Sequence, residues 1–128
     1  MNNISAERSR EDYLETILSL IKKNGACRAT DIADSLGYSK ASVSVALKKL
    51  EDSGLVIRDD WRILLTDEGR EIARGTLEKH NFFKSLFISC GIDPDTAERE
   101  ACLVEHAVSE SSFQALRARL GGIAEGER

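Results

Sequence analysis

The apolar residues between Tyr13 and Leu50 recur at helical spacing, and at Leu55 that period breaks. Few soluble folds accommodate the sequence of elements this implies. Tyr13, Leu14, Ile17, Leu18 and Ile21 predict the buried face of a first helix that ends near Asn24-Gly25, with Ser5 and Ser9 as alternative N-caps. Ile32, Ala33 and Leu36 predict a second helix over Thr30–Leu36, stopped by Gly37. Val43, Ala46, Leu47 and Leu50 predict a third that begins after Ser39 and runs to Ser53-Gly54. Two β-prone runs follow, Leu55-Val56-Ile57-Arg58 and Arg62-Ile63-Leu64-Leu65, flanking Asp59-Asp60-Trp61 as a hairpin.

Helical signals then resume. Thr66 caps a long helix to about Ser89, with Asp67 and Glu68 where the helix dipole favours acids. Asp93-Pro94 opens a helix covering Thr96–Val108, and Ser109 caps a last one to about Leu120. The expected fold is mostly α. A winged helix-turn-helix over residues 1–70 carries a small β-hairpin wing. An all-helical domain over 71–122 and a flexible tail over 123–128 follow. Phe82, Phe83, Leu86, Phe87 and Ile88 form an apolar cluster that is either core or an interface between copies; sequence alone favours core.

Composition bounds the function. A chain of 128 residues with 41% hydrophobic content suits one core or two small modules. The apolar runs are too short for a transmembrane helix. The start, Met1-Asn2-Asn3-Ile4-Ser5, lacks the basic and apolar parts of a signal peptide, so a cytoplasmic protein is expected. Cys27, Cys90 and Cys102 are odd in number and contain no C-x-x-C, which argues against a disulfide framework or a structural zinc knuckle. The net charge of −4 weighs mildly against nucleic-acid binding. Its distribution offsets this, because Ser39–Leu50 holds three lysines and no acid.

The stretch Thr30–Leu55 reads as a helix-turn-helix with a wing to follow. Ser39, Lys40, Ser42, Ser44 and Lys48 lie largely outside the apolar stripe of the third helix. Small hydroxyl residues let a helix approach base edges, and Lys40, Lys48 and Lys49 can neutralise phosphates. Arg58 or Arg62 on the hairpin can hold the backbone or enter the minor groove. The competing reading is a winged-helix scaffold used for protein contacts, with the lysines a solvated face.

A second chemistry lies near the C-terminus. On a helix, Cys102 is three residues from Glu105 and four from His106, so the three side chains can converge. A thiolate, a carboxylate and an imidazole are competent ligands for a first-row transition metal. Asp12 and Glu15, three apart on the first helix, and His80 bring the donors to six on three helices.

In order along the chain, Glu11-Asp12-Tyr13-Leu14-Glu15-Thr16-Ile17, Asp31-Ile32-Ala33 through Ser42-Val43-Ser44, Leu65-Thr66-Asp67-Glu68-Gly69, Lys79-His80, and Glu100-Ala101-Cys102 with Glu105-His106 and Ser109 resemble one family. It is the metalloregulators that include the diphtheria toxin repressor and the manganese transport regulator, and the resemblance covers about residues 8–120. It implies a metal bound between the domains by Asp12, Glu15, His80, Cys102, Glu105 and His106, and a homodimer on double-stranded DNA with a palindromic operator. It assigns metal binding and dimerisation to residues 71–122. Manganese-type members carry acids at the positions of Asp12, Glu15 and Cys102; iron-type members carry methionine at Asp12 and cysteine at Cys102. The chain mixes the patterns, so Mn(II) or Fe(II) is expected, with Co(II) or Zn(II) admitted by Cys102. Lys84 and Glu98 stand where iron-type members place ligands of an ancillary site, so that site is not expected here.

The function so implied is a metal-responsive transcriptional regulator, by family habit a repressor, of metal-ion uptake or homeostasis genes. Two other readings compete: a regulator of the same fold that senses no metal, and a small metallohydrolase. The sequence offers no separate nucleophile–base pair and no Gly-rich phosphate loop for the latter, so no enzyme is expected.

Overall fold

A computed structural model describes residues 3–125 of the chain. Among them are six helices and one two-stranded sheet: α1 (Asn3–Asn24), α2 (Ala29–Leu36), α3 (Lys40–Asp52), β1 (Val56–Asp59), β2 (Arg62–Leu65), α4 (Asp67–Ser89), α5 (Pro94–Val104) and α6 (Glu110–Ala124). The chain divides into two compact units, Met1–Arg74 and Gly75–Arg128, with the boundary inside α4. No helix among the described residues is long and apolar enough to cross a membrane.

Unit 1 is a winged helix. Tyr13, Leu14, Ile17 and Leu18 of α1 are buried with Ile32 and Ala33 of α2, and with Val43, Leu47 and Leu50 of α3. Val56, Ile63 and Leu65 add the inner face of the wing to the same core. Ser5 and Ser9 both fall inside α1, which begins at Asn3, so neither is its N-cap. Gly37 ends α2 in the left-handed region at φ 72°, a conformation that costs glycine nothing, and turns the chain into α3. Ser39 caps α3 by accepting the Ser42 N–H at 3.1 Å.

The wing is an antiparallel hairpin in register Val56↔Leu65 to Asp59↔Arg62, turned at Asp60, which takes a positive φ of 59°. Arg28, between α1 and α2, bridges to Arg62, and the Ile63 N–H donates to the Cys27 carbonyl at 2.8 Å. This short added edge ties the wing to the helices. Thr66 then starts α4: its hydroxyl donates to the Gly54 carbonyl at 2.8 Å and accepts the Gly69 N–H at 3.1 Å.

Unit 2 is helical. Phe82, Phe83, Ala101, Phe113 and Ala124 are its buried centre, with Leu86, Phe87, Val104 and Leu116 packed against them. Phe82 meets both Phe83 and Phe113 edge-on, at centroid separations of 5.1 and 5.4 Å. Four of the five residues in the expected apolar cluster thus serve the core of this unit, while Ile88 is 41% exposed. Helix α6 continues through Gly121 and Gly122 to Ala124, across the start of the expected tail. The last part of that tail, residues 126–128, and Met1 and Asn2 lie outside the described residues.

Candidate metal centre and nucleic-acid interface

Helix α5 and the turn that follows it carry most of the donors of unit 2. Asp93 caps it, accepting the Thr96 N–H at 3.0 Å, and Pro94 occupies the first turn. The helix ends at Val104, four residues before the expected Val108. Two contacts account for the earlier stop. Ser109 is already the extended N-cap of α6, with its hydroxyl accepting the Ser112 N–H at 3.1 Å. Lys79 of α4 reaches the Val108 carbonyl at 2.9 Å and fixes the intervening loop. Glu105 is therefore the C-cap of α5, its N–H still bonded to the Ala101 carbonyl, and His106 lies in the turn beyond.

The donor atoms of His80, Cys102 and Glu105 lie within 4.8 Å of one another. His80 Nδ1 is 3.1 Å from Glu105 Oε2 and 3.6 Å from Cys102 Sγ. His106 sits on the other side of the carboxylate, its Nε2 3.3 Å from Glu105 Oε1. The expected convergence of Cys102, Glu105 and His106 is thus centred on Glu105, with α4 contributing a second imidazole. Glu105 is 1% exposed. Its oxygens are at ion-pair distance from the two rings, but neither contact has hydrogen-bond alignment, and both atoms are buried without a hydrogen bond.

These groups act on each other's protons. The interaction with Cys102, then that with Glu105, raises His80 to about 10, against burial, which pulls it down. Glu98 is also in contact, its Oε2 2.7 Å from His80 Nε2. Burial pushes the Glu98 carboxyl up, but the hydrogen bond from Lys84 and the charges of His80 and Lys84 outweigh it, and the net shift is downward.

An ionised carboxylate buried without hydrogen bonds is costly. A divalent cation satisfies it, and imidazole, thiolate and carboxylate are ligands such a cation takes. The residues present therefore fit a divalent transition metal. Asp12 and Glu15 lie in unit 1, both half-buried on α1 beside the apolar stripe.

The residues expected to read DNA, Ser39, Lys40, Ser42, Ser44, Lys48, Arg58 and Arg62, are all exposed. They line the outer face of α3 and the two strands of the wing. Several already have partners within the chain. The Ser39 hydroxyl caps α3 and also donates to Ser42 Oγ at 3.0 Å. Lys48 pairs with Asp52 at 3.2 Å. Arg58 pairs with Glu51 at 3.8 Å and donates to the Ser44 carbonyl at 3.3 Å, which links the wing to α3. Arg62 pairs with Asp59.

Two contributions went unread in the sequence. Arg28 lies over the ring of the half-exposed Trp61 at 4.5 Å. Lys84 and Glu98 entered the sequence reading only as departures from an ancillary site, whereas the structure gives them to His80. The signal available was helical spacing: Lys84 lies four residues after His80, and Glu98 four before Cys102.

Comparison with known proteins agrees with this division. Residues 7–62 match the iron dependent repressor, N-terminal DNA binding domain, and residues 66–126 match the iron dependent repressor, metal binding and dimerisation domain. The chain is 37% identical to the transcriptional regulator MntR of Escherichia coli O6:H1 over 84% of its own length and 70% of that protein. Among solved structures, IdeR of T. acidophilum superposes with a TM-score of 0.77 at 29% identity, over 87% of this chain and 53% of that one. The manganese regulator SloR does so with the same TM-score and identity over 88% and 53%. The chain thus spans about half the length of these two structures. With both halves matched in order, and with MntR aligned over most of each chain, this protein belongs to the iron dependent repressor family, and is a metal-dependent transcriptional regulator rather than an enzyme.

Proposed function

We propose that the protein represses genes of metal-ion uptake or homeostasis and is switched to its DNA-binding state by Mn(II) or Fe(II). The observation that carries this reading is the Glu105 carboxylate, buried without a hydrogen bond between two imidazoles and near a thiol. The proposed ligands are Asp12, Glu15, His80, Cys102, Glu105 and His106. The carboxylate oxygens of Asp12 and Glu15 suit Mn(II); the sulfur of Cys102 favours Fe(II) and admits Co(II) or Zn(II). MntR and the manganese regulator SloR, both similar to this chain, support a manganese-type assignment.

When bound, the ion supplies the positive charge that the acids of this set lack. The chain's own part is to draw ligands from both units. Ligation then favours one arrangement of the units over others, and the population shifts towards it. In the proposed DNA complex the exposed face of α3, with Ser39, Lys40, Ser42, Ser44 and Lys48, enters the major groove. Arg58 and Arg62 of the wing hold the adjacent backbone or minor groove. A homodimer presents two such faces to a palindromic operator, and the site of action is the cytoplasm.

The test is a titration of the reduced, metal-free protein with Mn(II), Fe(II), Co(II) and Zn(II), handling Fe(II) without oxygen. Binding to DNA from upstream of the protein's own gene is followed by fluorescence anisotropy at one fixed salt concentration. The expected result is DNA binding strengthened at least about tenfold by metal, roughly 1.4 kcal/mol of coupling. Equal binding with and without every ion overturns the sensor reading.

A further inference from the structure

His80 is engaged at both ring nitrogens. Nδ1 faces Glu105 and Cys102, while Nε2 lies 2.7 Å from Glu98 Oε2. The other oxygen of Glu98, Oε1, is 2.9 Å from the Lys84 ammonium. A short chain therefore runs from Lys84 through Glu98 to Nε2 of His80, the ring nitrogen that does not face Glu105. Helical spacing builds it: His80 and Lys84 are one turn apart on α4, and Glu98 and Cys102 are one turn apart on α5.

The chemistry of the chain is directional. A neutral imidazole has one N–H and one lone pair, and an ionised carboxylate only accepts. Both nitrogens face carboxylates, so with Nδ1 given to a cation the one ring proton would stay on Nε2, where Glu98 accepts it. The outer hydrogen bond also fixes the plane of the ring and raises its basicity as a ligand. Lys84 holds Glu98 by the oxygen that His80 does not use. Glu98 Oε2 faces the ring nitrogen and also accepts from the Cys102 thiol at 3.6 Å, a proton that ligation through the thiolate would remove.

We propose that Glu98, clamped by Lys84, is a positioning residue of the metal centre: it holds the His80 proton on Nε2 and presents Nδ1 to the cation, and is not itself a ligand. The inference rests on the metal-sensing reading above. It also gives Lys84 a defined part, as a cation supplied by the chain itself on the Nε2 side of His80.

The experiment uses the full chain with zinc as a diamagnetic probe. Zinc affinity is measured by competition with a chelator for the wild type, Glu98→Ala, Glu98→Gln and Lys84→Met, with far-UV circular dichroism as a check of folding. In parallel, long-range proton–nitrogen NMR reads the tautomer of the imidazoles in zinc-loaded, nitrogen-15 histidine protein; the chain has only two histidines. The wild type is expected to show His80 as the Nε2–H tautomer with nitrogen ligation at Nδ1. Glu98→Ala is expected to weaken zinc about 10- to 100-fold and to lose the single protected Nε2–H signal. Glu98→Gln, whose amide oxygen still accepts that proton, is expected to recover most of the affinity and the same tautomer, and Lys84→Met to lie between. Glu98→Gln as damaging as Glu98→Ala would make Glu98 a ligand and overturn the proposal. Wild-type affinity and unchanged His80 signals in Glu98→Ala would overturn it as well, leaving the sensor reading intact. A wild type that binds no divalent ion overturns both.

Discussion

Glu105 Oε2 lies 3.1 Å from His80 Nδ1, and its other oxygen lies 3.3 Å from His106 Nε2, so one buried carboxylate is held between the protein's two histidines. Neither contact is aligned as a hydrogen bond. The arrangement is poor as a purely structural device, because a hydrogen-bonded amide or an apolar residue would fill the space at lower cost. It is well suited to a cation. Glu105→Ala and His106→Ala are therefore expected to lose metal-dependent DNA binding while keeping the helical content of the fold. Anisotropy titrations with Mn(II), beside circular dichroism spectra, check this. A variant whose metal response matches the wild type would remove Glu105 or His106 from the ligand set.

A different pair sets the entry to α4. A Cβ built on Gly69 would come within 2.1 Å of the Leu55 carbonyl oxygen, which itself accepts the Thr66 N–H at 3.1 Å. That carbonyl is backbone and cannot step aside as a flexible side chain would. Gly69→Ala is expected to cost about 1–3 kcal/mol, the range for forced overpacking. Gly75, in the same helix, has open space at its Cβ position. Gly75→Ala is expected to raise stability by up to about 1 kcal/mol through helix propensity. Thermal denaturation of the two variants should move in opposite directions; a shared direction would break the argument.

How much of this was legible in the sequence follows from the range of the forces involved. The six helices and the hairpin were readable because each is written in local periodicity. The caps at Thr66, Asp93 and Ser109 were readable because capping is a short-range rule. The end of α5 was not. The spacing of Cys102, Glu105 and His106 is continuous with a helix, and the stop depends on Lys79 reaching Val108 across 29 positions. The outer partners of His80 were hidden for the same reason, since Glu98 meets it only after α4 and α5 pack. Ser39 was readable as the start of α3, but a serine before a helix looks alike whether it caps the helix or faces DNA. The structure shows its hydroxyl capping, so its part in DNA contact is limited to what that hydroxyl can still accept.

The three cysteines should separate by reactivity. Cys27 is fully buried, and burial first, then the charge of Asp31, pushes its thiol up to about 12. The thiolate is the reactive form, so native Cys27 should resist iodoacetamide while the exposed Cys90 is alkylated. The folded pKa lies above the ordinary value of 9.0, so the contribution of Cys27 to stability is complete below pH 9 and falls as pH rises towards 12. Mass spectrometry of the protein alkylated at pH 8 reads the first claim directly. Under the proposed function, added Zn(II) should slow modification of Cys102 and leave Cys90 unaffected. Equal protection of both, or of neither, would count against Cys102 as a ligand.

The acids beside the lysines of α3 make a last prediction about DNA. Lys48 and Asp52 form an exposed pair at 3.2 Å, and such pairs add little to stability. Asp52 instead competes with phosphates for the Lys48 ammonium. Asp52→Asn is therefore expected to strengthen DNA binding severalfold at low salt with little change in melting temperature. Lys48→Ala and Lys40→Ala should each weaken binding about equally for different DNA sequences and reduce the steepness of the salt dependence by about one unit in a double-logarithmic plot. Anisotropy over a series of salt concentrations, with metal saturating throughout, measures both effects. An Asp52→Asn variant that binds DNA no better than the wild type, together with an unchanged salt slope in Lys48→Ala, would mean that Lys48 stays on Asp52 and that the phosphate contacts come from elsewhere on α3 and the wing.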